Sequence, residues 1–192
     1  MDAPSAALVL GHGAGGGVAA RDLVAAAEAA ASEGLSAALV EQPYRVAGRR
    51  SPAPARQLDA AWEAVVAELL AGELRGLPLV AGGRSLGARV ACRTAAATDA
   101  VAVLCLAFPL RPPRRSGNAP SRLPELEAVA VPTLVVQGKR DPFGIPPPGP
   151  SRTVVQVDGD HSLRTGAGAV GEAVGTWLRE VVRELTPAAT KR

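Results

Sequence analysis

The chain has 192 residues, of which 47% are hydrophobic but only 3% aromatic, and its formal net charge is +3. This length suits a single domain, residues 1–192, whose core is built from Ala, Val and Leu. The basic surplus comes almost wholly from arginine, and because no basic helix and no interleaved aromatic residues accompany it, the composition argues against nucleic-acid binding.

Short apolar runs alternate with helical patterns along the chain, which is typical of a parallel sheet covered by helices on both faces. In chain order, the pattern predicts a strand at 6–10, a glycine loop at 11–17, a helix at 18–32, a strand at 36–40, a loop to residue 54, a helix at 58–70, a strand at 77–81, a helix at 88–98, a strand at 101–107, a proline-rich loop, strands at 133–137 and 153–157, and a helix at 170–185. Residues 186–192 are predicted to be a frayed tail. The fold class is therefore α/β, with a mostly parallel sheet of about six strands.

The first predicted strand leads into a glycine loop that contains His12-Gly13-Ala14-Gly15. Glycines let backbone N–H groups approach a substrate oxygen, so Ala14 or a neighbouring glycine is predicted to supply an oxyanion-hole donor, with Gly13 against the substrate. The alternative is a dinucleotide-binding loop, because the letters of G-x-G-x-x-G also fit. Against it, Glu41 is the first acidic residue past the second strand and lies about 30 residues after the loop, not the usual ~20.

The segment Gly83-Arg84-Ser85-Leu86-Gly87 joins a predicted strand to a predicted helix. A G-x-S-x-G turn of this kind holds its serine in a strained backbone conformation at the N-terminus of a helix, where the dipole favours an oxyanion. Ser85 is therefore predicted to be a nucleophile. The N–H of Leu86 is predicted to be the second oxyanion-hole donor.

A serine nucleophile needs a base and a group that orients the base. His161 follows the last predicted strand and Asp141 follows the strand before it, so both are expected at the same sheet edge as Ser85. The order Ser85, Asp141, His161 is the order found in alpha/beta hydrolases. Asp160 is the alternative acid, but it adjoins His161 and is poorly placed to reach the far edge of the imidazole. His12 is predicted to order the glycine loop. The simpler alternatives are an exposed loop histidine and a turn-forming aspartate.

These segments together resemble the small alpha/beta hydrolases of the dienelactone-hydrolase-like group. The nearest branch is the compact one that includes a testis-expressed mammalian protein and a subunit of the nonspecific-lethal chromatin complex. The matching motifs are Gly11-His12-Gly13-Ala14-Gly15-Gly16, Pro43-Tyr44-Arg45, Gly82-Gly83-Arg84-Ser85-Leu86-Gly87-Ala88-Arg89, Phe108-Pro109-Leu110, Gly138-Lys139-Arg140-Asp141-Pro142-Phe143-Gly144 and Asp160-His161-Ser162-Leu163. The resemblance implies a minimal alpha/beta-hydrolase fold and the triad Ser85–Asp141–His161. It implies no particular substrate, and some relatives act as subunits of complexes.

Arginines crowd the same predicted sheet edge, in a set made up of Arg45, Arg49, Arg50, Arg84, Arg111, Arg114 and Arg115. We expect Arg45 and Arg84 to contact the substrate and anionic esters to be favoured. The alternatives are a solvated surface and, for Arg84, a structural ion pair. Only a proline-rich stretch, residues 108–131, stands where a lid would be, so no cap domain is predicted. An open mouth favours small esters over long-chain lipids.

The predicted activity is that of a carboxylesterase-like serine hydrolase, which cleaves small acyl esters or lactones through an acyl-enzyme intermediate and needs no metal or organic cofactor. The alternative is a non-catalytic interaction protein that keeps the fold.

No apolar run approaches the roughly 18 residues of a membrane span, the first residues lack a signal-peptide pattern, and Cys92 and Cys105 are predicted to be buried thiols. We therefore expect a cytoplasmic monomer or homodimer without membrane contact, whose partner is a small ester.

Overall fold

The computed structural model describes residues 3–111 and 120–185. Their six strands form one sheet in the order β2-β1-β3-β4-β5-β6, and every neighbouring pair is parallel. The strands are β1 (Ala7–Gly11), β2 (Ser36–Val40), β3 (Leu79–Arg84), β4 (Ala102–Leu106), β5 (Thr133–Gly138) and β6 (Arg152–Val157). The predicted α/β class and parallel sheet are confirmed. The expectations for Pro112, Pro113, Arg114, Arg115 and the tail at 186–192 lie outside the described residues.

Helices cover both faces of this sheet. They are α1 (Arg21–Ser32), α2 (Pro43–Val46), α3 (Ala55–Ala71), α4 (Leu86–Thr94), α5 (Leu123–Glu127) and α6 (Ala167–Leu185). α1 and α6 bury apolar side chains at helical spacing, such as Leu23 with Ala26 and Val170 with Val174, against one face. α3 and α4 cover the other face, where Trp62 is buried in the second core cluster. The central strands β1 and β4 are therefore wholly buried, as expected for a doubly covered parallel sheet.

Several predicted boundaries were wrong, each for a local reason. α1 begins at Arg21 because residues 18–20 complete a turn in which the Ala20 N–H donates to the Gly17 carbonyl at 3.2 Å. β3 runs on through the two glycines after Ala81, because their backbones still pair with β1 and β4. α4 ends at Thr94, and the chain continues in turns as far as Asp99, whose φ is 50°. Residues 43–46, expected as a loop, form the short helix α2, which begins with a proline at its first position.

The parallel strands bring their carboxyl ends to one edge of the sheet. Ser85 follows β3, Asp141 follows β5 after a short turn, and His161 follows β6. Between β4 and β5, the one helix or strand among the described residues is the short helix α5. All three predicted catalytic residues therefore lie at this one sheet edge.

Candidate active site

Ser85 stands at a sharp corner between β3 and α4. Its φ of 51° and ψ of −104° lie outside the regions that residues with a Cβ usually adopt. The corner is held by the hydrogen bond from the Ser85 N–H to the Leu106 carbonyl, 2.9 Å, and by that from the Arg89 N–H to the Ser85 carbonyl, 3.2 Å. Although Ser85 occupies the N-cap position of α4, its hydroxyl makes no capping hydrogen bond and remains available for other partners.

Gly83 and Gly87 are needed at this corner because neighbouring backbone atoms lie too close to admit a Cβ, not because of unusual φ angles. A Cβ on Gly83 would lie 2.5 Å from the Gly11 carbonyl oxygen, and a Cβ on Gly87 would overlap that same oxygen. The backbones of β1, β3 and α4 therefore touch at a point where no other residue fits. This contact sets the position of the Ser85 backbone relative to the glycine loop.

A continuous hydrogen-bond chain joins the three predicted catalytic residues. The His161 Nε2 atom lies 2.9 Å from the Ser85 Oγ atom, and the His161 Nδ1 atom lies 2.8 Å from the Asp141 Oδ2 atom. The Asp141 side chain is fully buried, whereas the imidazole is 20% exposed. Because an ionised carboxylate only accepts, Nδ1 carries the proton and Nε2 faces the serine hydroxyl as an acceptor. This is the arrangement in which a histidine can remove the proton of a serine.

The Asp141 carboxylate is held by two further donors. Its Oδ1 atom accepts the Phe143 N–H at 2.9 Å, and its Oδ2 atom accepts a hydrogen bond from the Gln137 Nε2 atom at 2.8 Å. The same amide nitrogen lies 3.1 Å from the Phe108 carbonyl and 2.9 Å from the Gly144 carbonyl. A flipped amide would turn its oxygen toward three acceptors, so the orientation of this side chain is fixed by its surroundings.

Asp160, the alternative acid, faces elsewhere. Its Oδ1 atom accepts the Ser162 N–H at 2.8 Å and the Ser162 hydroxyl at 2.6 Å, and these hydrogen bonds lower the pKa of the Asp160 carboxyl. Asp160 therefore shapes the turn that carries His161. The imidazole packs instead on the Phe143 ring, with 4.3 Å between centroids and a 45° tilt.

Two side chains order the glycine loop: His12, which lies in the loop, and Tyr44, which lies in α2. The buried His12 ring accepts the Gln42 N–H at Nε2, 2.9 Å away, and donates from Nδ1 to the Gly13 carbonyl at 2.8 Å. Glu41 Oε1 also lies 3.2 Å from Nε2, but the Gln42 amide already points at that lone pair, so the neutral ring is the form that satisfies both ring nitrogens. The Tyr44 hydroxyl donates to the Ala14 carbonyl at 3.0 Å.

Two backbone amides remain free beside Ser85. Ala14 is a central residue of the turn closed by the hydrogen bond from the Gly16 N–H to the Gly13 carbonyl, 3.2 Å, and Leu86 is the first residue of α4. Neither the Ala14 nor the Leu86 N–H donates to another described residue. The first amides of a helix have no acceptor within the helix, so the Leu86 N–H is available to a ligand.

Arg84, next to Ser85, is tied into the structure. Its Nε atom lies 3.1 Å from the Asp22 Oδ2 atom, without the alignment of a hydrogen bond, and its Nη2 atom donates to the His161 carbonyl at 2.9 Å. Asp22 is 1% exposed. Burial raises the pKa of the Asp22 carboxyl, and the Arg84 guanidinium opposes only part of this rise. Gly13 leaves room for this guanidinium, because a Cβ there would lie 2.9 Å from the Arg84 Nη1 atom.

Ser85 and His161 open into a cavity of about 880 Å³. Its lining includes Ala14, Arg84 and Phe143 but not Arg45, whose Nε atom lies 3.9 Å from a Glu41 carboxylate oxygen. In residues 3–111 and 120–185, no group of three or more His, Cys, Asp or Glu side chains is placed to bind a metal ion.

Two further predictions concern the cysteines and membrane-spanning segments. Cys92 and Cys105 are buried as predicted, with their Sγ atoms 3.4 Å apart, and the Cys92 contact and burial raise the pKa of the Cys105 thiol. Within the described part of the chain, no helix is both long and apolar enough to cross a bilayer.

Sequence reasoning missed three side chains at this site. The sequence pattern places Gln137 only at the end of an apolar strand, and the one signal of a further role is that an amide stands among apolar residues there. Asp22 and Phe143 carried no such signal, because their contacts with Arg84 and His161 depend on how distant loops meet.

Comparison with known proteins bears on the family and the fold of the chain. The alpha/beta hydrolase domain family matches residues 4–186. No curated protein sequence matches the chain. Among solved structures, a hydrolase of the alpha/beta superfamily from Xanthomonas campestris is 23% identical with a TM-score of 0.67, over 91% of this chain and 99% of that one. A serine hydrolase without lid from the same organism is 20% identical with a TM-score of 0.74, over 98% and 85% of the two chains.

A third similar structure is Est1E from Butyrivibrio proteoclasticus with bound ferulic acid. It is 17% identical with a TM-score of 0.76, over 93% of this chain and 90% of that one. At such identities the structural likeness establishes the fold alone. The family match covers residues 4–186, nearly the whole chain, and is therefore evidence of family membership as well as of fold.

Proposed function

The chain belongs to the alpha/beta hydrolase family, and on that premise we propose that it is a serine esterase that cleaves small acyl esters or lactones. The observation that carries this proposal is the unbroken hydrogen-bond chain from Asp141 through His161 to Ser85. These hydrogen-bonded side chains lie beside a cavity that Ser85 and His161 line, and the Ser85 hydroxyl does not cap α4. These are the features that a nucleophilic serine requires.

In the proposed reaction, the His161 Nε2 atom takes the proton of the Ser85 hydroxyl as Oγ forms a bond to the ester carbonyl carbon. The carbonyl oxygen becomes an oxyanion, which accepts hydrogen bonds from the Leu86 and Ala14 amides. Removing one such donor typically costs about 3 kcal/mol of transition-state stabilisation. The imidazolium then gives its proton to the departing alcohol, and an acyl group remains on Ser85.

Water completes the cycle. His161 removes a proton from a water molecule, the hydroxide adds to the acyl carbonyl, and the bond to Ser85 breaks as the serine recovers its proton. Asp141 keeps the imidazole in the tautomer that both steps need and stabilises its positive charge. The similar serine hydrolase from Xanthomonas campestris is described as lacking a lid, and an uncovered site of that kind would suit small esters better than long-chain lipids.

Covalent labelling tests this proposal directly. A fluorophosphonate probe should add to Ser85 in the wild type, and the label should be absent from Ser85→Ala. Ser32→Ala is the matched control, because Ser32 is an exposed serine at the far end of α1 whose hydroxyl donates to the Glu28 carbonyl at 2.9 Å. It should label like the wild type.

Hydrolysis of p-nitrophenyl acetate provides the second measurement. Ser85→Ala should lower kcat/KM by at least about 10³-fold, while Ser32→Ala leaves it unchanged. A folded wild-type protein that neither labels nor hydrolyses the ester would refute the proposal and favour a non-catalytic interaction protein.

A further inference from the structure

One wall of the cavity at Ser85 is rich in arginine. Arg21 is the first residue of α1, Arg84 precedes the serine, and Arg164 follows His161 by three positions; all three line the cavity. They come from three separate parts of the chain. Two of them, Arg21 and Arg164, do not belong to the arginine set that the sequence pattern marked out.

The three arginines are not equivalent. The Arg84 guanidinium is mostly buried and engaged by Asp22 and the His161 carbonyl. Arg21 and Arg164 are exposed to the cavity, and no carboxylate of a described residue lies within 4.0 Å of either guanidinium. They are therefore free to bind a ligand.

The cavity has little negative charge to offset them. Asp22 is the one carboxylate in its lining, and it is buried against Arg84 with a raised pKa. The N-terminus of α1, whose N-cap residue Ala20 supplies no side-chain capping bond, also lines the cavity and adds the positive end of its dipole. A carboxylate in this part of the cavity would have the Arg21 and Arg164 guanidinium groups and the N-terminus of α1 near it, with Asp22 as the one opposing charge in the lining.

We propose that this cavity selects esters that carry a second, anionic group, with Arg21 and Arg164 as its specificity-determining residues. This inference rests on the proposed esterase function. It assigns the substrate class to monoesters of dicarboxylic acids or esters of hydroxy acids, in which a free carboxylate accompanies the scissile ester. It also places the recognition on the α1 side of Ser85, away from Arg45.

Two pairs of probes test the proposal from both sides of the ester bond. The p-nitrophenyl monoester of adipic acid is compared with its methyl ester, which places the charge on the acyl side. 4-Carboxyphenyl acetate is compared with its methyl ester, which places the charge on the leaving group. The wild type should prefer the charged member of at least one pair by about three- to thirtyfold in kcat/KM, because exposed guanidinium–carboxylate contacts are individually weak.

Arg21→Ala and Arg164→Ala should each reduce that preference, and the double variant should bring it close to unity. The readout is the ratio of kcat/KM for the charged ester to kcat/KM for its neutral partner, so a loss shared by both esters does not count as a loss of preference. Fluorophosphonate labelling reports whether Ser85 is still reactive in each variant. Arg183→Ala is the charge-matched control, because Arg183 is exposed near the end of α6 and outside the cavity lining. It should keep the full preference. Added salt should lower the preference of the wild type.

The outcomes separate this inference from the proposed function. If the wild type labels and hydrolyses neutral esters but shows no charge preference, the esterase assignment stands and the anion selectivity is refuted. Equal loss of preference in Arg183→Ala would also refute it, because a general field of positive charge would then explain the selectivity. A wild type that hydrolyses no ester at all overturns both proposals.

Discussion

Replacing Gln137 by methionine removes an amide that supports the acid of the triad while keeping a side chain of similar length and shape. Gln137 is fully buried in β5, and its Nε2 atom lies within hydrogen-bonding distance of Asp141 and of the Phe108 and Gly144 carbonyls. Its own Oε1 atom has no partner among the described residues. The amide therefore acts almost entirely as a donor, and a thioether cannot replace it.

The expected size of the effect follows from these contacts. The Asp141 carboxylate loses one hydrogen bond to a charged group, worth about 1.5–3 kcal/mol. If that amount is expressed in the transition state, where Asp141 stabilises the imidazolium, kcat falls by about 10- to 150-fold. KM should change much less, because Gln137 does not line the cavity. The Gly144 carbonyl would lose its donor, which should also destabilise the fold by about 1–3 kcal/mol, whereas the Phe108 carbonyl keeps the Leu110 N–H at 2.9 Å.

Steady-state kinetics with p-nitrophenyl acetate and denaturant unfolding measure the two effects separately. Gln137→Glu is a useful companion, because it keeps the shape but places a carboxylate beside Asp141 and should be more damaging than Gln137→Met. Gln156→Met is the matched control, since Gln156 pairs with Gln137 in register on β6 but is exposed. A folded Gln137→Met with unchanged kcat and an unchanged pH profile would refute this role for the amide.

Three other changes test separate features of the structure. Gly87→Ala should destabilise the fold by about 1–3 kcal/mol or more in denaturant unfolding, because its Cβ would overlap the Gly11 carbonyl; wild-type stability would contradict that close contact. Because folding raises the pKa of Asp22 above its ordinary value of 3.8, the unfolded chain loses this proton first as the pH rises. The free energy of unfolding of the wild type should therefore fall relative to that of Asp22→Asn from about pH 3.8 up to the raised pKa, and a flat or rising difference would be inconsistent with a raised pKa. Asp141→Asn should lower kcat by about 10⁴-fold whereas Asp160→Asn changes it less than about twofold, and the reverse order would exchange the roles of the two acids.

The sequence was most informative where short-range patterns decide the structure. Apolar runs located all six strands, and because parallel strands end at one edge, the positions after them brought Ser85, Asp141 and His161 together in the prediction. The distances between these side chains now agree with that expectation. Boundaries failed where backbone pairing continued through glycines, as at the end of β3.

The sequence was least informative where contacts depend on the paths of loops. The Asp22–Arg84 pair joins residues 62 positions apart, and nothing in either segment indicates the other. Arg21 and Arg164 share a cavity because the glycine loop and the turn after β6 meet there. A pattern can list the arginines, but only the tertiary structure selects those that face the nucleophile.

Gly83 and Gly87 both crowd one carbonyl of β1, so the glycines and the serine of the G-x-S-x-G motif are evidence for different things. Both glycines are demanded by the architecture, so a descendant that had abandoned chemistry would still have to keep them. The serine has no such obligation, because its hydroxyl caps nothing and supports no neighbouring backbone. Among relatives of this chain, retention of the glycines is therefore evidence of shared ancestry and shape, and only retention of the serine, aspartate and histidine together is evidence that the chemistry is still under selection.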